Sequence, residues 1–194
     1  MIFLARIISF LLSPIIVLFP ALYLLVDKIS SNDMYALKWA VISYIFVIVV
    51  AMFVLLGVLF GIFSNFDVSK KEERPLLFAF SGLITLLYLV SLFVFNGPKV
   101  LFIAVFAVIL GLIAVSIVNR WIKASIHVAT VSAFIFSISL IYKGSYLLLL
   151  FLIPVMAWSR VKIKKHTPLE VSVGGLLGGL LVLVVYIVAK RFFV

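Results

Sequence analysis

Residues 99–118 read KVLFIAVFAVILGLIAVSIV, an apolar run whose only charge is the lysine at its first position. Wound as an α-helix at 1.5 Å per residue, such a run extends about 30 Å, the thickness of the hydrocarbon core of a bilayer. The polar–apolar alternation of a lipid-facing barrel strand is missing. A helix satisfies its own backbone groups and needs no water along its length. The fold class expected is therefore all-α: a polytopic transmembrane helical bundle.

Working outward, comparable runs occupy 3–26, 36–63, 76–96, 125–142, 145–158 and 169–189. That makes six to seven spans, because the run at 145–158 is short for a full crossing. It cannot be fused with the run before it. One helix over 125–158 would reach roughly 50 Å and strand Lys143-Gly144 in mid-bilayer, so a hairpin turning at Lys143-Gly144 is expected. Asn96-Gly97-Pro98-Lys99 is a tight turn, and Pro14, Pro20 and Pro154 predict kinks or local unwinding. Arg6 lies inside the first run and no small-residue cleavage pattern follows, which reads as a retained span. No internal repeat or soluble segment interrupts 1–194, a single membrane domain.

Composition agrees. Apolar residues make up 67% and charged residues 11%, with a mean hydropathy of +1.45, against about 45–50% and about 25% in soluble domains. With no cysteine, disulfides, thiolate nucleophiles and sulfur-ligated metals are excluded. Two histidines and six acidic residues are too few for a multi-histidine metal centre, so no metal or other cofactor is expected. The net charge of +10 sits in short loops, where Lys and Arg meet anionic lipid headgroups and set topology, rather than marking a nucleic-acid partner. Gly174, Gly175, Gly178 and Gly179 form two interleaved pairs of small residues four apart, and Gly57 and Gly61 repeat the pattern. Such pairs let another backbone approach closely, within the bundle or between copies, so oligomeric state stays open.

Three loops are chemically richer than topology requires: 67–75 (DVSKKEERP), 119–127 (NRWIKASIH) and 159–170 (SRVKIKKHTPLE). Each follows an even number of crossings, so all three emerge on one face. There they gather Lys71, Arg74 and Arg160 beside His127, His166 and Glu170, the only two imidazoles among them. Arg offers a planar fork of donors to phosphoryl oxygens and Lys a point charge, the inventory of an anionic phosphoryl site. If Thr167-Pro168 starts the last helix, Glu170 lies one turn beyond His166 and can hold its imidazole in one tautomer. Lys162, Lys164 and Lys165 read as headgroup contacts.

These loops resemble the motifs of the type 2 phosphatidic acid phosphatase superfamily, the lipid phosphate phosphatases with a haloperoxidase-like site. Ser159-Arg160, VKIKK, His166, TPL, Glu170 reproduces the spacing of the third motif, with Glu for Asp. Ala124-Ser125-Ile126-His127 is similar to the second, Pro-Ser-Gly-His. The first, Lys, six residues, Arg-Pro, is met at Arg74-Pro75, with Asp67 at the lysine position. The likeness extends over about 60–190. It implies that His166 attacks phosphorus to form a phosphohistidine, that Glu170 orients it, and that His127 protonates the departing oxygen. It further implies that Arg74, Arg160, Lys71, Ser125 and Ser159 hold the phosphoryl oxygens, without a metal. The substrate implied is a lipid or polyprenyl phosphate or diphosphate in the cell membrane.

The same intermediate could pass to an alcohol, making a phosphotransferase. Asp67, Ala124 and Ile126 at motif positions also allow a non-catalytic transporter or scaffold. Ten of the sixteen basic residues fall on the motif-bearing side, which points it toward the cytoplasm. Setting aside Lys71, Arg74 and Arg160 leaves seven against six and no direction.

Overall fold

Pro14 divides the first apolar run in two. The computed structural model, which describes residues 1–142 and 144–192, has α1 (Ile2–Leu11) ending just before that proline and α2 (Pro14–Ser30) starting on it. A proline at the first helical position lacks only an N–H that would be unpaired there anyway. Pro20 is carried inside α2 without a break. α3 (Asp33–Leu59) is capped by Asn32, whose side chain accepts from the Tyr35 amide at 2.9 Å. Then come α4 (Arg74–Val94), α5 (Lys99–Val118), α6 (Ile126–Ile141), α7 (Leu152–Lys162) and α8 (Pro168–Phe192).

The protein is an all-α bundle; among the described residues there is no strand. Among the described residues five helical segments are long and apolar enough to cross a membrane: Ile2–Ser30, Asp33–Leu59, Lys71–Val94, Lys99–Val118 and Pro168–Arg191, with Ile126–Ile141 a shorter apolar helix. The expected hairpin after α6 is present. Gly144, at φ +84°, returns its amide to the Ser139 carbonyl at 2.7 Å; Lys143, the other half of the expected turn, lies outside the described residues. The run expected at 145–158 is a 3-10 segment, Leu147–Phe151, followed by α7. Pro154 falls in the first turn of α7, directly after the 3-10 segment, where its missing N–H is one the α-helix does not use.

Two packing centres organise the bundle. One joins α2, α3, α4 and α5 around Val26, Trp39, Leu92 and Leu101. The other joins α2, α6, α7 and α8 around Val128, Val131, Ile135, Met156 and Val171. The α6–α8 contact is the most extensive in the bundle, and glycine lets the two backbones approach closely. A Cβ at Gly174 would lie under 3.0 Å from the Ser125 carbonyl oxygen, and one at Gly178 under 3.0 Å from that of Ala129. The small-residue stripe thus serves packing inside the bundle. Gly57 and Gly61 do something else. Gly61 ends α3 at φ +74°, and Phe63 folds back onto the space Gly57 leaves open, where a Cβ would collide with its ring. That fold-back replaces the last turn of the span expected over 36–63.

Candidate active site

The loop between α3 and α4 is built rather than loose. Phe63 and Val68 are buried with Val54 beneath it. Asn65 Oδ1 accepts from the Ser69 amide and hydroxyl at 3.3 and 2.9 Å, and the Glu73 carboxylate accepts from the Ser64 amide at 3.1 Å. The Val68 carbonyl takes a bond from Arg74 Nε at 3.5 Å. These contacts aim Asp67 at the bundle.

Asp67 is where the motif-bearing elements meet. Its Oδ2 accepts from Arg160 Nη1 of α7 at 3.0 Å, and its Oδ1 stands 3.5 Å from His127 Nε2 at the start of α6. Residues 127 and 160 therefore do share one end of the bundle, as the hairpin requires. Arg160 also donates from Nη1 to Ser9 Oγ of α1 at 2.7 Å. Burial alone would raise the Asp67 carboxyl, but Arg160 and His127, with Lys165 beyond, hold it below its usual range.

His166 enters from the other side. Its Nδ1 lies 2.7 Å from Glu170 Oε2. The same oxygen accepts the Thr167 amide at 3.2 Å, while Thr167 Oγ1 accepts the Glu170 amide at 3.3 Å. This is a capping box, which makes Glu170 both a helix cap and the partner of the imidazole. With Nδ1–H donated to a carboxylate, Nε2 carries the lone pair. Burial pushes His166 down to about 4 despite the Glu170 bond, so its ring is neutral at neutral pH. A backbone bond from the Ser125 amide to the Glu170 carbonyl, 3.0 Å, stitches the start of α6 to the start of α8.

Two buried guanidinium groups complete the site. Arg74, 2% exposed, donates from Nη1 to Asn119 Oδ1 at 2.8 Å and to the Ala124 carbonyl at 3.1 Å. Arg160 is 1% exposed, yet its Nε has no hydrogen-bond partner among the described residues. Ser125 Oγ is buried and unpartnered as well. Unpaired buried polar atoms are rare in folded proteins. Two of the four among the described residues belong to residues expected to hold phosphoryl oxygens.

Two other expected ligands lie apart. Lys71 Nζ donates to the Arg120 carbonyl at 2.8 Å, at the rim of a separate groove between α4 and α5. Ser159 Oγ donates to the Ala5 carbonyl at 2.6 Å and ties α7 to α1. Lys165, read from sequence as a headgroup contact, reaches instead toward Ser69 Oγ at 3.4 Å, beside Asp67. Its place next to His166 was the one available signal. The role of Asp67 carried no signal except its position in the first motif.

No family model, curated protein or solved structure matches this chain. Asp67, His127 and Lys165 stand at one end of a cavity of about 770 Å³ that runs between α2, α3, α4 and α5. Its walls include Val47, Val50, Leu77 and Val105, and it reaches the hydrogen-bonded pair Ser43 and Tyr88. The stretch of α3 from Ser43 to Val54 that lines it measures roughly 16 Å.

Proposed function

We propose that this protein is a membrane-embedded lipid phosphatase, acting on a phosphate or diphosphate of a lipid or polyprenol in the cell membrane through a phosphohistidine on His166. The observation that carries this reading is the neutral imidazole of His166, held by Glu170, in a site where Arg160 Nε and Ser125 Oγ are buried donors without acceptors among the described residues. Buried donors of this kind suit the oxygens of a phosphoryl group. The lipid part of the reading rests on the apolar cavity that leads away from His127 and Asp67.

In the first step His166 Nε2 forms a bond to phosphorus as the bond to the lipid oxygen breaks. His127, which takes up a proton from solvent once the phosphoryl anion lies beside it, gives that proton to the leaving oxygen, and the lipid alcohol leaves. A water then loses a proton to His127 and attacks phosphorus. The P–N bond breaks back onto His166, releasing inorganic phosphate. Arg160, Arg74 and Ser125 hold the equatorial oxygens while charge redistributes.

A second reading, a non-catalytic binding framework, is favoured by one observation: the Asp67 carboxylate already occupies Arg160 and His127. Phosphate release from dioctanoyl phosphatidate and from a polyprenyl diphosphate by purified protein separates the two. Release by wild type and its loss in His166→Ala supports the enzyme; equal or absent release in both supports the framework.

A further inference from the structure

Asp67 stands between the two groups that would hold and cleave the phosphoryl group, 3.0 Å from Arg160 Nη1 and 3.5 Å from His127 Nε2. It cannot easily withdraw. Its neighbour Val68 is 1% exposed at φ +42°, and the loop is pinned through Asn65, Glu73 and the Arg74 bond to the Val68 carbonyl. A phosphoryl group entering the site must therefore lie against a carboxylate.

The balance of charge decides which phosphoryl group can do so. Arg74, Arg160 and Lys165 face Asp67 and Glu170, three cations against two carboxylates; His166 is neutral, and so in the free site is His127, buried beside Arg160 and Arg74. Arg6 of α1 lines the cavity mouth but is exposed and screened by solvent. A singly charged phosphoryl group neutralises this set; a doubly charged one leaves an uncompensated anion beside a fixed carboxylate. A singly charged monoester also carries a P–OH, and an O–H donated to a carboxylate is among the strongest hydrogen bonds in proteins.

Resting on the phosphatase reading for the placement of substrate, we propose that Asp67 is a specificity-determining residue that admits a lipid phosphate monoester in its singly charged form by accepting the hydrogen bond of its P–OH. Phosphate monoesters lose their second proton near a pKa of about 6. Binding should then weaken above that pH for a reason that lies in the ligand.

The test is binding rather than turnover, so that it does not depend on catalysis. Full-length His166→Ala protein in detergent is titrated with dioctanoyl phosphatidate and with dioctanoyl phosphatidylmethanol, a diester whose single charge does not change between pH 5 and 8. Affinity for phosphatidate should fall at least about tenfold from pH 5 to pH 8, following the monoanion, whose fraction falls roughly a hundredfold. Affinity for the diester should stay constant. In His166→Ala/Asp67→Asn the phosphatidate dependence should flatten, since an amide can donate to a dianion. If both ligands weaken alike, the dependence belongs to the protein, His127 above all, and the inference is overturned. It is equally overturned if phosphatidate binds as well at pH 8 as at pH 5, or if Asp67→Asn leaves the fall intact. The two-ligand comparison needs no change at Asp67, so it stands even if that variant does not fold. Intact, pH-selective binding together with no phosphate release by wild type would refute the phosphatase reading and leave the assignment of Asp67 in place.

Discussion

Glu170 accepts from His166 Nδ1 at 2.7 Å with the same oxygen that caps α8 through the Thr167 amide. Orientation of the imidazole is thus tied to the helix start, and neither can shift without the other. Because Pro168 follows the cap residue, the first turn of α8 is pre-organised and the ring is held by a rigid element.

Glu170→Gln keeps an acceptor for the cap but removes the charge that fixes the tautomer. We expect kcat to fall on the order of 10³ to 10⁴, with KM little changed, as for other imidazoles deprived of their carboxylate. Thermal stability should drop by no more than about 1 kcal/mol. Steady-state kinetics and a melting curve on the same preparation check both.

Arg160, Ser159 and Lys71 should separate cleanly. Arg160→Ala is expected to lower kcat/KM about 10² to 10³-fold, the effect of losing one oxyanion donor. Ser159→Ala removes a second bond to the Ala5 carbonyl, which keeps its backbone partner within α1, and should cost about 0.5–1.5 kcal/mol of stability with little effect on turnover. Lys71→Ala should affect neither by more than about 1 kcal/mol, since its partner is an exposed carbonyl. Equal loss of activity in Lys71→Ala and Arg160→Ala would contradict the geometry.

The pH behaviour follows from His166. Its folded pKa of about 4 lies below the unfolded value near 6.5, so the folded state binds fewer protons between those limits. Its contribution to stability is complete above pH 6.5 and is lost as pH falls toward 4. Asp67, also held low, adds a loss below its usual range near 3.8. On the proposed role of His166, the acid limb of kcat/KM should lie near pH 4, not 6.5, and move lower in Glu170→Gln, which lacks the bond that raises it.

Gly178→Val would drive a side chain into the Ala129 backbone and force α6 from α8. We expect a loss of about 1–3 kcal/mol or more, together with loss of activity, because the Ser125 to Glu170 backbone bond lies at the same seam. Gly82→Ala in α4 meets nothing within 4 Å and should gain about 1 kcal/mol. Thermal melting of both variants measures the contrast.

Thr85→Phe projects into the apolar cavity from its α4 wall, one turn short of Tyr88. Activity on a long-chain lipid phosphate should fall by about tenfold or more, while a short-chain analogue is less affected. A uniform loss across chain lengths would mean that the lipid tail lies elsewhere.

How much of this was legible in the chain depends on distance along it. The apolar runs specified the helices because a span needs only length and hydropathy, both local quantities. Pro14 marked a real break and Lys143-Gly144 a turn, of which Gly144 is described. The partnership of His166 with Glu170 was readable because the two are four residues apart at a helix start. The stripe from Gly174 to Gly179 announced a close approach without naming the partner.

Contacts between distant segments could not be read. Lys71 was expected from the sequence to hold phosphoryl oxygens, but the path of the loop turns it to Arg120 and leaves Lys165 near Asp67. That path depends on Phe63 docking over Gly57, an event set by three-dimensional packing at the end of α3. Ser159 and Arg160 are neighbours in sequence, yet one faces α1 and the other faces Asp67. By itself the sequence determined an all-α membrane bundle and an imidazole–carboxylate pair at the start of α8, because hydropathy and helical spacing act over short range. Only the tertiary structure decided that Asp67 joins Arg160 to His127, because residues 67, 127 and 160 meet only after three separate hairpins have packed.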